Sequence, residues 1–259
     1  MLRSGLVSVT FRQLTPEDIV ALVQRAGLDG LEWGGDIHVP HGDLARARAV
    51  GALTREAGLA VFAYGSYYRV GYSAAAGLAW ESVLETALAL GAPLIRVWAG
   101  DRVESRTAEA AVWERVVEDG QRIAALAETA GITIAFEHHG GTLADTPTSA
   151  LELLHRIGAP NLRSYWQPLF GMTPTEHTAS LNLLLPVLAH LHVYQWQLVN
   201  GELVRFPLED GAATWRSWLS QLAQQPRDVA AMLEFVRNDT PEQFLADAAV
   251  LRSLLADFA

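Results

Sequence analysis

The segment GITIAFEHHGGTLADTP, residues 131–147, contains the unit from which this chain is built. Gly131 is placed to end a helix, and ITIAFE at 132–137 is a short apolar strand. Thr146 and Pro147 are placed to begin the next helix. Glycine takes the left-handed conformation after a helix at little cost, and threonine before proline caps a first turn. The segment therefore predicts one strand, one polar loop and one helix start.

The same unit recurs along the chain. The predicted strands are LVSVTF (6–11), LEWG (31–34), LAVFAY (59–64), LIRVWA (94–99), ITIAFE (132–137), LRSYWQ (162–167), LAHLHVYQ (188–195) and VAAMLEFV (229–236). The predicted helix starts are Thr15, Asp43, Thr107, Thr146, Thr173 and Thr240, and the predicted helix stops are Gly27, Gly58, Gly91, Gly131 and Gly158. Strands that alternate with helices pair in parallel through right-handed crossovers.

Eight such units in about 250 residues are typical of a closed barrel. We therefore predict an α/β fold, a single (β/α)8 TIM barrel that forms one domain over residues 1–259. The alternative is an open doubly wound sheet, which requires a glycine-rich phosphate-binding turn after the first strand. Residues 9–18, VTFRQLTPED, contain no glycine, and this favours the barrel.

Two predicted loops are longer than the others. GSYYRVGYSAAAG at 65–77 follows the third strand, and residues 196–211 follow the seventh. The second loop contains Asn200 and Gly201, and Asn-Gly is the strongest short hairpin signal because both residues accept positive φ. The sequence therefore predicts a small hairpin there, placed to cover the barrel mouth as a lid.

The composition excludes several kinds of chemistry. The chain has 259 residues, half of them hydrophobic, and a formal net charge of -10, which disfavours a nucleic-acid partner. It has no cysteine, and this excludes thiol nucleophiles, Fe–S clusters and disulfides. All 19 basic residues are arginine, so no amine can form a Schiff base. Carboxylates, imidazoles and metals remain to carry the chemistry.

Neither a membrane span nor a secretion signal is recognisable. No apolar run reaches the roughly 18 residues that a membrane span needs. Residues 1–15, MLRSGLVSVTFRQLT, lack the long apolar core and the small-residue cleavage site of a signal peptide. We therefore expect a cytoplasmic protein without a membrane partner.

Polar residues end several of the predicted strands. They are Glu32, Glu137, Gln167, His192 and Glu234. In a βα barrel such positions are typical of catalytic residues, and the last four belong to the neighbouring strands five to eight. One inward side chain from each strand end can converge on a point. Two carboxylates, one imidazole and one amide oxygen suit a single divalent ion, Mn²⁺, Mg²⁺, Co²⁺ or Zn²⁺, so we predict that these four residues bind a metal.

The two glutamates of this set also predict a reaction. Glu137 and Glu234 end the apolar stretches AFE and MLE, and buried carboxylates rarely lack a partner or a metal. A divalent ion stabilises the enediolate that forms when a proton leaves the carbon next to a carbonyl. Carboxylates on opposite sides could remove and return that proton. We therefore predict Glu137 and Glu234 as the catalytic pair.

The motifs ITIAFEHHGGTLADT, RSYWQPLFG, LAHLHVYQW and AAMLEFV, in this order and spacing, resemble the xylose-isomerase-like superfamily of TIM barrels over essentially the whole chain. This superfamily contains sugar phosphate isomerases and epimerases, inosose dehydratases and DNA repair enzymes of the endonuclease IV type. The resemblance implies one divalent metal held by Glu, Asp, His and Glu, with the two glutamates as acid and base. The matching positions are Glu137, Gln167, His192 and Glu234. Gln167 departs from the family's aspartate, which lowers the expected metal affinity and leaves a metal-free site as an alternative.

Eight residues are predicted to bind the substrate. Arg96 could bind a carboxylate or phosphate, or pair with an internal acid, and His139 shares strand parity with Glu137. Aromatic faces near strand ends could stack on the C–H faces of a sugar. The full set is Glu32, His38, Tyr64, Arg96, Trp98, His139, Trp166 and Trp196.

Four functions compete at this point. The first is an isomerase or epimerase of a sugar or a sugar-like hydroxy-ketone. The second is a lyase that dehydrates an inosose-like ring, with His38 or His139 as the acid for the leaving hydroxyl. DNA repair of the endonuclease IV type is disfavoured by the acidic charge and by a ligand set for only one metal. A non-enzymatic sugar-binding barrel is favoured by Gln167. A homodimer stays open, because barrels of this kind often pair.

Overall fold

The computed structural model of the protein describes residues 1–258, and a closed barrel of eight parallel strands lies at its centre. The barrel strands are β1 (Leu2–Val7), β2 (Gly30–Gly34), β3 (Ala60–Val70), β4 (Leu94–Ala99), β5 (Thr133–Phe136), β6 (Leu162–Trp166), β7 (Leu188–Val193) and β10 (Val229–Leu233). Two further strands, β8 (Trp196–Val199) and β9 (Glu202–Arg205), form a separate hairpin. The strands follow chain order around the barrel, and β10 closes it against β1, with Leu6 beside Leu233. The predicted (β/α)8 barrel is confirmed.

Eight α-helices accompany the barrel strands. They are α1 (Pro16–Ala26), α2 (Leu44–Glu56), α3 (Trp80–Leu90), α4 (Ala110–Thr129), α5 (Pro147–Ile157), α6 (Pro174–Leu184), α7 (Ala212–Leu222) and α8 (Pro241–Ala256). Their apolar sides bury the larger part of the core between the helices and the barrel. None of the helices in the part of the chain that the structure describes has both the length and the apolarity to cross a bilayer.

The predicted helix starts are confirmed with one exception. The side chains of Thr15, Asp43, Thr146, Thr173 and Thr240 each accept a hydrogen bond from the backbone N–H three residues later. The helix start predicted at Thr107 is wrong, because the Thr107 hydroxyl donates to the carbonyl of Glu104 in a turn that precedes the helix. Helix α4 therefore begins at Ala110, after the N-cap Glu109, which makes no side-chain cap.

All of the predicted strands except β4 have different bounds in the structure, by one to three residues in most cases, and β1 and β3 differ most. β1 ends at Val7, and Ser8–Phe11 form a buried 3-10 helix, so the apolar run 6–11 did not reveal where the strand turns. β3 continues to Val70, because its last residues pair with β4 after a bulge, with Arg69 beside Trp98. The predicted loop 65–77 therefore begins only after β3.

The predicted hairpin is confirmed. β8 and β9 pair in antiparallel register, with Trp196 beside Arg205 and Val199 beside Glu202. Asn200 and Gly201 form the turn with φ values of 53° and 84°, as a two-residue hairpin turn of this kind requires. That the hairpin acts as a lid stays a prediction.

A second, smaller apolar cluster fills the inside of the barrel. Its members include Val7, Phe62, Leu94, Tyr165 and Met232, all of them buried. Closely packed side chains at this level close the barrel from below. The polar residues at the C-terminal strand ends therefore lie on an apolar floor and open only toward the loops.

Candidate active site

A cavity of about 850 Å³ opens at the C-terminal ends of the barrel strands. Seven of the predicted site residues line it: Arg96, Trp98, Glu137, His139, Gln167, Trp196 and Glu234. His192 lies directly behind three of them and is fully buried. The structure therefore brings the four residues from strands five to eight of the barrel together at one place.

Glu137, which follows β5, has both carboxylate oxygens occupied. Oε2 accepts hydrogen bonds from Arg96 Nη1 and Trp98 Nε1, and Oε1 accepts one from Gln167 Nε2 at 3.1 Å. Burial raises the pKa of Glu137, but the positive charge of Arg96 and the hydrogen bond from His192 outweigh burial and hold the pKa below its ordinary value. This carboxylate is therefore a well-anchored anion.

Arg96 in β4 is a buried cation beside the cavity. Its Nε donates to Glu32 Oε1 at 2.6 Å, while its Nη1 donates to Glu137. The other oxygen of Glu32 accepts a hydrogen bond from the Tyr165 hydroxyl at 2.8 Å. Burial lowers the pKa of Arg96, but the two carboxylates raise it well above its ordinary value. Arg96 is thus held as a cation, and the remaining N–H groups of its guanidinium are not used by these two acids.

His192 on β7 connects the glutamates. Its Nδ1 lies 3.3 Å from Gln167 Oε1, 3.3 Å from Glu234 Oε2 and 3.5 Å from Glu137 Oε1. Its Nε2 lies 3.6 Å from Glu32 Oε2 and has no hydrogen-bond partner in residues 1–258. Burial lowers the pKa of His192, but the surrounding carboxylates outweigh burial and raise the pKa well above its ordinary value. The imidazole therefore favours its charged form.

Glu234, which follows β10, has a less crowded environment. Its side chain lines the cavity. Among the described residues, the polar atom close to its carboxylate is His192 Nδ1, 3.3 Å from Oε2. The next residue, Phe235, has a φ of 53°, and its N–H donates to Thr10 Oγ1 at 3.0 Å. A positive φ in a bulky residue is strained, and such strain is typical of functional sites. This turn sets the direction in which the Glu234 carboxylate enters the cavity.

His139 provides an imidazole on the β5 side of the cavity. Its ring stacks on Trp98, with 5.1 Å between the ring centroids and 24° between the planes. Its Nδ1 lies 2.6 Å from the backbone carbonyl of Gly140, and the side chain is only partly buried. The ring is therefore held in place while one nitrogen can face the cavity.

Four of the residues predicted to bind substrate do not line the cavity. The hydroxyl of Tyr64 donates to the carbonyl of Val39, and Trp166 packs against Trp215 and Trp218 in the helix layer. Both side chains point out of the barrel. Trp166 alternates with Tyr165 and Gln167, whereas Tyr64 follows a bulge in β3, where Phe62 and Ala63 both belong to the inner cluster. His38 is buried against Ser8, 3.0 Å from its hydroxyl, and Glu32 lies below the cavity and reaches it only through Arg96.

Tyr165 is a site residue that the sequence reasoning missed. Besides its hydrogen bond to Glu32, its ring packs edge-on against His192, with centroids 5.1 Å apart. Tyr165 lies two residues before Gln167, so strand parity places both side chains on the same side of β6. That alternation was the signal that could have identified it.

The sequence profile of the "Xylose isomerase-like TIM barrel" family matches residues 20–254. The chain belongs to this family. The resemblance inferred from the four strand-end motifs is therefore confirmed. No curated protein sequence matches the chain.

Several solved structures have the same fold as this chain. The probable 3-DHS dehydratase AsbF of Bacillus anthracis, involved in petrobactin synthesis, has a TM-score of 0.78 and 20% identity, over 97% of this chain and 99% of that chain. D-psicose 3-epimerase of Clostridium cellulolyticum H10, solved with D-tagatose, has a TM-score of 0.72 and 15% identity, over 98% and 99%. A xylose isomerase-like TIM barrel protein of Mycobacterium smegmatis, solved in complex with magnesium, has a TM-score of 0.70 and 14% identity, over 99% and 98%. At these identities the likeness shows the fold alone.

The four predicted metal ligands are close together, but their donors do not fit a metal ion. Gln167 donates its amide N–H groups to Glu137 Oε1 and to the carbonyl of His138, both at 3.1 Å. The other oxygen of Glu137 is taken by Arg96 and Trp98. Within residues 1–258, no group of three or more His, Asp and Glu side chains has the arrangement of a metal site. Hydrogen bonds from Arg96, Trp98 and Gln167 occupy both oxygens of Glu137 instead, while His192 Nε2 stays without a partner in the described part of the chain.

Proposed function

We propose that the protein is an isomerase or epimerase that moves a proton at the carbon next to the carbonyl of a small, sugar-like hydroxy-ketone. The observation that carries this proposal is the pair Glu234 and His139, which line one cavity together with the buried cation Arg96. Proton transfer beside a carbonyl needs a base, an acid and a positive charge near the oxygen. This cavity supplies all three from its own side chains.

Glu234 is the proposed base. A carboxylate that removes a proton must have an oxygen that is not already saturated by strong donors. Glu234 has one near polar partner, His192 Nδ1 at 3.3 Å, whereas Glu137 accepts from Arg96, Trp98 and Gln167. We therefore assign Glu137 the role of an anchor that orients Arg96 and Trp98, instead of the acid–base role expected from the sequence.

His139 is the proposed partner of Glu234. It follows β5, whereas Glu234 follows β10, and β6 and β7 lie between these strands in the barrel. The two groups therefore enter the cavity from different sides. An imidazole can both give and accept a proton, which suits a group that works opposite a carboxylate base. One group can remove a proton from one face of a planar enediolate while the other returns a proton to the opposite face.

Arg96 is placed to meet the oxygen of the enediolate. The Nε and Nη1 atoms bind Glu32 and Glu137, so the guanidinium is oriented before substrate enters. Its other N–H groups can donate to an oxygen whose negative charge grows during proton removal. A fixed donor of this kind loses little energy in reorganisation, which is the main advantage of a preorganised site.

The cavity also supports a polyhydroxylated substrate. Trp98 and Trp196 lie on its wall, and aromatic faces of this kind pack on the C–H faces of sugars. The volume of about 850 Å³ lies within the range of small-molecule sites. Polar groups at the base and aromatic rings at the rim match a substrate with hydroxyls and an apolar ring face.

Dehydration is the second candidate, and His139 favours it. The first step, loss of the proton beside the carbonyl, is the same, and an imidazole in the same cavity could then protonate the leaving hydroxyl. His38, the other acid considered, does not line the cavity. The probable 3-DHS dehydratase AsbF has the same fold, which is consistent with this alternative.

The test is proton exchange in D₂O, followed by NMR on a panel of ketoses and inososes. We expect deuterium to enter at the carbon next to the carbonyl of one substrate. Glu234→Gln should slow this exchange by about 10²- to 10⁴-fold, and His139→Asn should slow formation of the isomerised product. A product that has lost water would select the dehydratase instead.

A protein that only binds its ligand would give a different result. If no substrate exchanges but one binds, and Glu234→Gln and His139→Asn leave that binding unchanged, the protein is a binding barrel and the proposed function is wrong. His177→Asn is the matched control, because His177 is a partly buried histidine in α6 that does not line this cavity.

A further inference from the structure

Glu32, Arg96, Glu137, Gln167 and His192 form a buried polar network, in which Arg96 is a cation supplied by the protein itself. Arg96 donates to Glu32 and Glu137, two carboxylates that are almost entirely buried. Guanidinium does not lose its proton in proteins, so this positive charge is permanent. A divalent ion at the same carboxylates would have to compete with it.

Gln167 removes a second requirement for a metal. Its amide N–H donates to Glu137 Oε1 at 3.1 Å, and its carbonyl oxygen lies 3.3 Å from His192 Nδ1. A carboxylate at this position could not donate to Glu137, and the two negative charges at this distance would repel each other unless a cation lay between them. The amide makes the contact favourable without any ion. Gln167 and Arg96 together therefore occupy the two oxygens of Glu137 without an ion.

We propose that Arg96 is the resident cation of this site and that the protein acts on its substrate without a divalent metal ion. This inference rests on the proposed function for the role of the charge, but the metal-free site itself can be tested without a substrate. Within the reaction, the guanidinium N–H groups that Glu32 and Glu137 leave unused donate to the substrate carbonyl oxygen. Glu137 and Glu32 keep the guanidinium in position, and Gln167 keeps Glu137 in position.

The decisive experiment is Mn²⁺ binding to the full chain after treatment with a chelator, with free Mn²⁺ measured by electron paramagnetic resonance. We expect the wild-type protein and Glu234→Gln to show the same weak binding. Gln167→Asp should bind Mn²⁺ at least about ten-fold more tightly, because a third carboxylate raises the charge of the ligand set. Gln167→Asn is the matched control and should behave like the wild type.

Each outcome decides one part of the inference. Stoichiometric Mn²⁺ binding by the wild-type protein that Glu234→Gln abolishes would overturn the metal-free site. If neither Gln167→Asp nor the longer Gln167→Glu gains affinity while circular dichroism shows both to be folded, Gln167 is not what withholds the metal, and that part is wrong.

A second measurement separates this inference from the proposed function. Once an exchanging substrate is found, we expect its rate in D₂O to be unchanged by chelator and by added Mn²⁺. A rate that falls with chelator and returns with Mn²⁺ would overturn the metal-free site while leaving the proposed proton transfer intact. Failure to find any exchanging substrate would count against the proposed function and leave the Mn²⁺ result standing.

Discussion

Glu137 and Glu234 are chemically identical side chains at the same end of one barrel, yet their surroundings differ. On the β5 side, Glu137 accepts hydrogen bonds from Arg96, Trp98 and Gln167. On the β10 side, Glu234 meets His192 at 3.3 Å and otherwise faces the cavity. A saturated carboxylate stabilises its neighbours and has little capacity left for a proton, whereas an unsaturated one can react. The difference teaches that the donors around a carboxylate, and not its place at a strand end, decide its role.

The largest expected effect concerns the cation of the β5 side. Arg96→Met should lower the free energy of unfolding by about 3–5 kcal/mol, because it leaves Glu32 and Glu137 buried without their partner. Urea unfolding followed by tryptophan fluorescence measures this loss. Arg12→Met is the control, because Arg12 lines the same cavity but pairs with Asp36 at a half-exposed position, and it should cost less than about 1 kcal/mol. Equal losses in the two variants would refute the contrast.

The two glutamates themselves should separate by stability. Glu137→Gln removes charge-assisted hydrogen bonds to Arg96 and Trp98, each worth about 1.5–3 kcal/mol, and should cost at least about 2 kcal/mol. Glu234→Gln should cost less, about 1.5 kcal/mol, because it weakens a single charge-assisted contact, the one to His192. The measurement is thermal unfolding of the Glu137→Gln and Glu234→Gln variants beside the wild-type protein. Similar melting temperatures would mean that Glu137 is not an anchor.

Gly65 in β3 lies against the buried pair of Arg96 and Glu32, and a substitution there tests how tightly that pair is packed. A Cβ at this position would lie 2.7 Å from Arg96 Nη2 and 2.7 Å from Glu32 Oε1, so Gly65→Ala must displace the buried pair. We expect a loss of about 1–3 kcal/mol in the free energy of unfolding. Gly140→Ala, at the edge of the same cavity with no atom within 4 Å of the added Cβ, should change stability by less than about 0.5 kcal/mol. A harmless Gly65→Ala would show that the pair can shift without cost.

The smallest effect concerns the hairpin on the other side of the cavity. Arg205 of β9 donates from Nη1 to both carboxylate oxygens of Asp239 at 2.6 Å and lies over the Phe235 ring. The pair is partly exposed, so Arg205→Met should change global stability by less than about 1 kcal/mol. Amide hydrogen exchange at residues 197–204 should nevertheless become faster, since the hairpin loses this attachment. Unchanged exchange would mean that Arg205 does not hold the hairpin.

Much of the site followed from reading strand ends. Glu137 and Glu234 end apolar stretches, Gln167 ends another predicted strand, and the barrel requires that such ends meet at one edge. Tyr64 and Trp166 also lie near strand ends, but Trp166 has the outward parity of β6 and a bulge in β3 turns Tyr64 outward. Tyr165 does not end its strand, and only its inward parity, two residues before Gln167, indicates that it belongs to the site.

The sequence by itself determined the architecture, because helix caps, glycine stops and eight short apolar strands are local signals, and eight strand–helix units in about 250 residues favour a closed parallel barrel. It also determined which polar residues could meet. Only the tertiary structure decided their roles, because hydrogen bonds between residues 41 positions apart in the chain, such as Arg96 and Glu137, leave no local pattern. Saturation of one glutamate and openness of the other depend on those long-range donors, and the chemistry of the site depends on that difference.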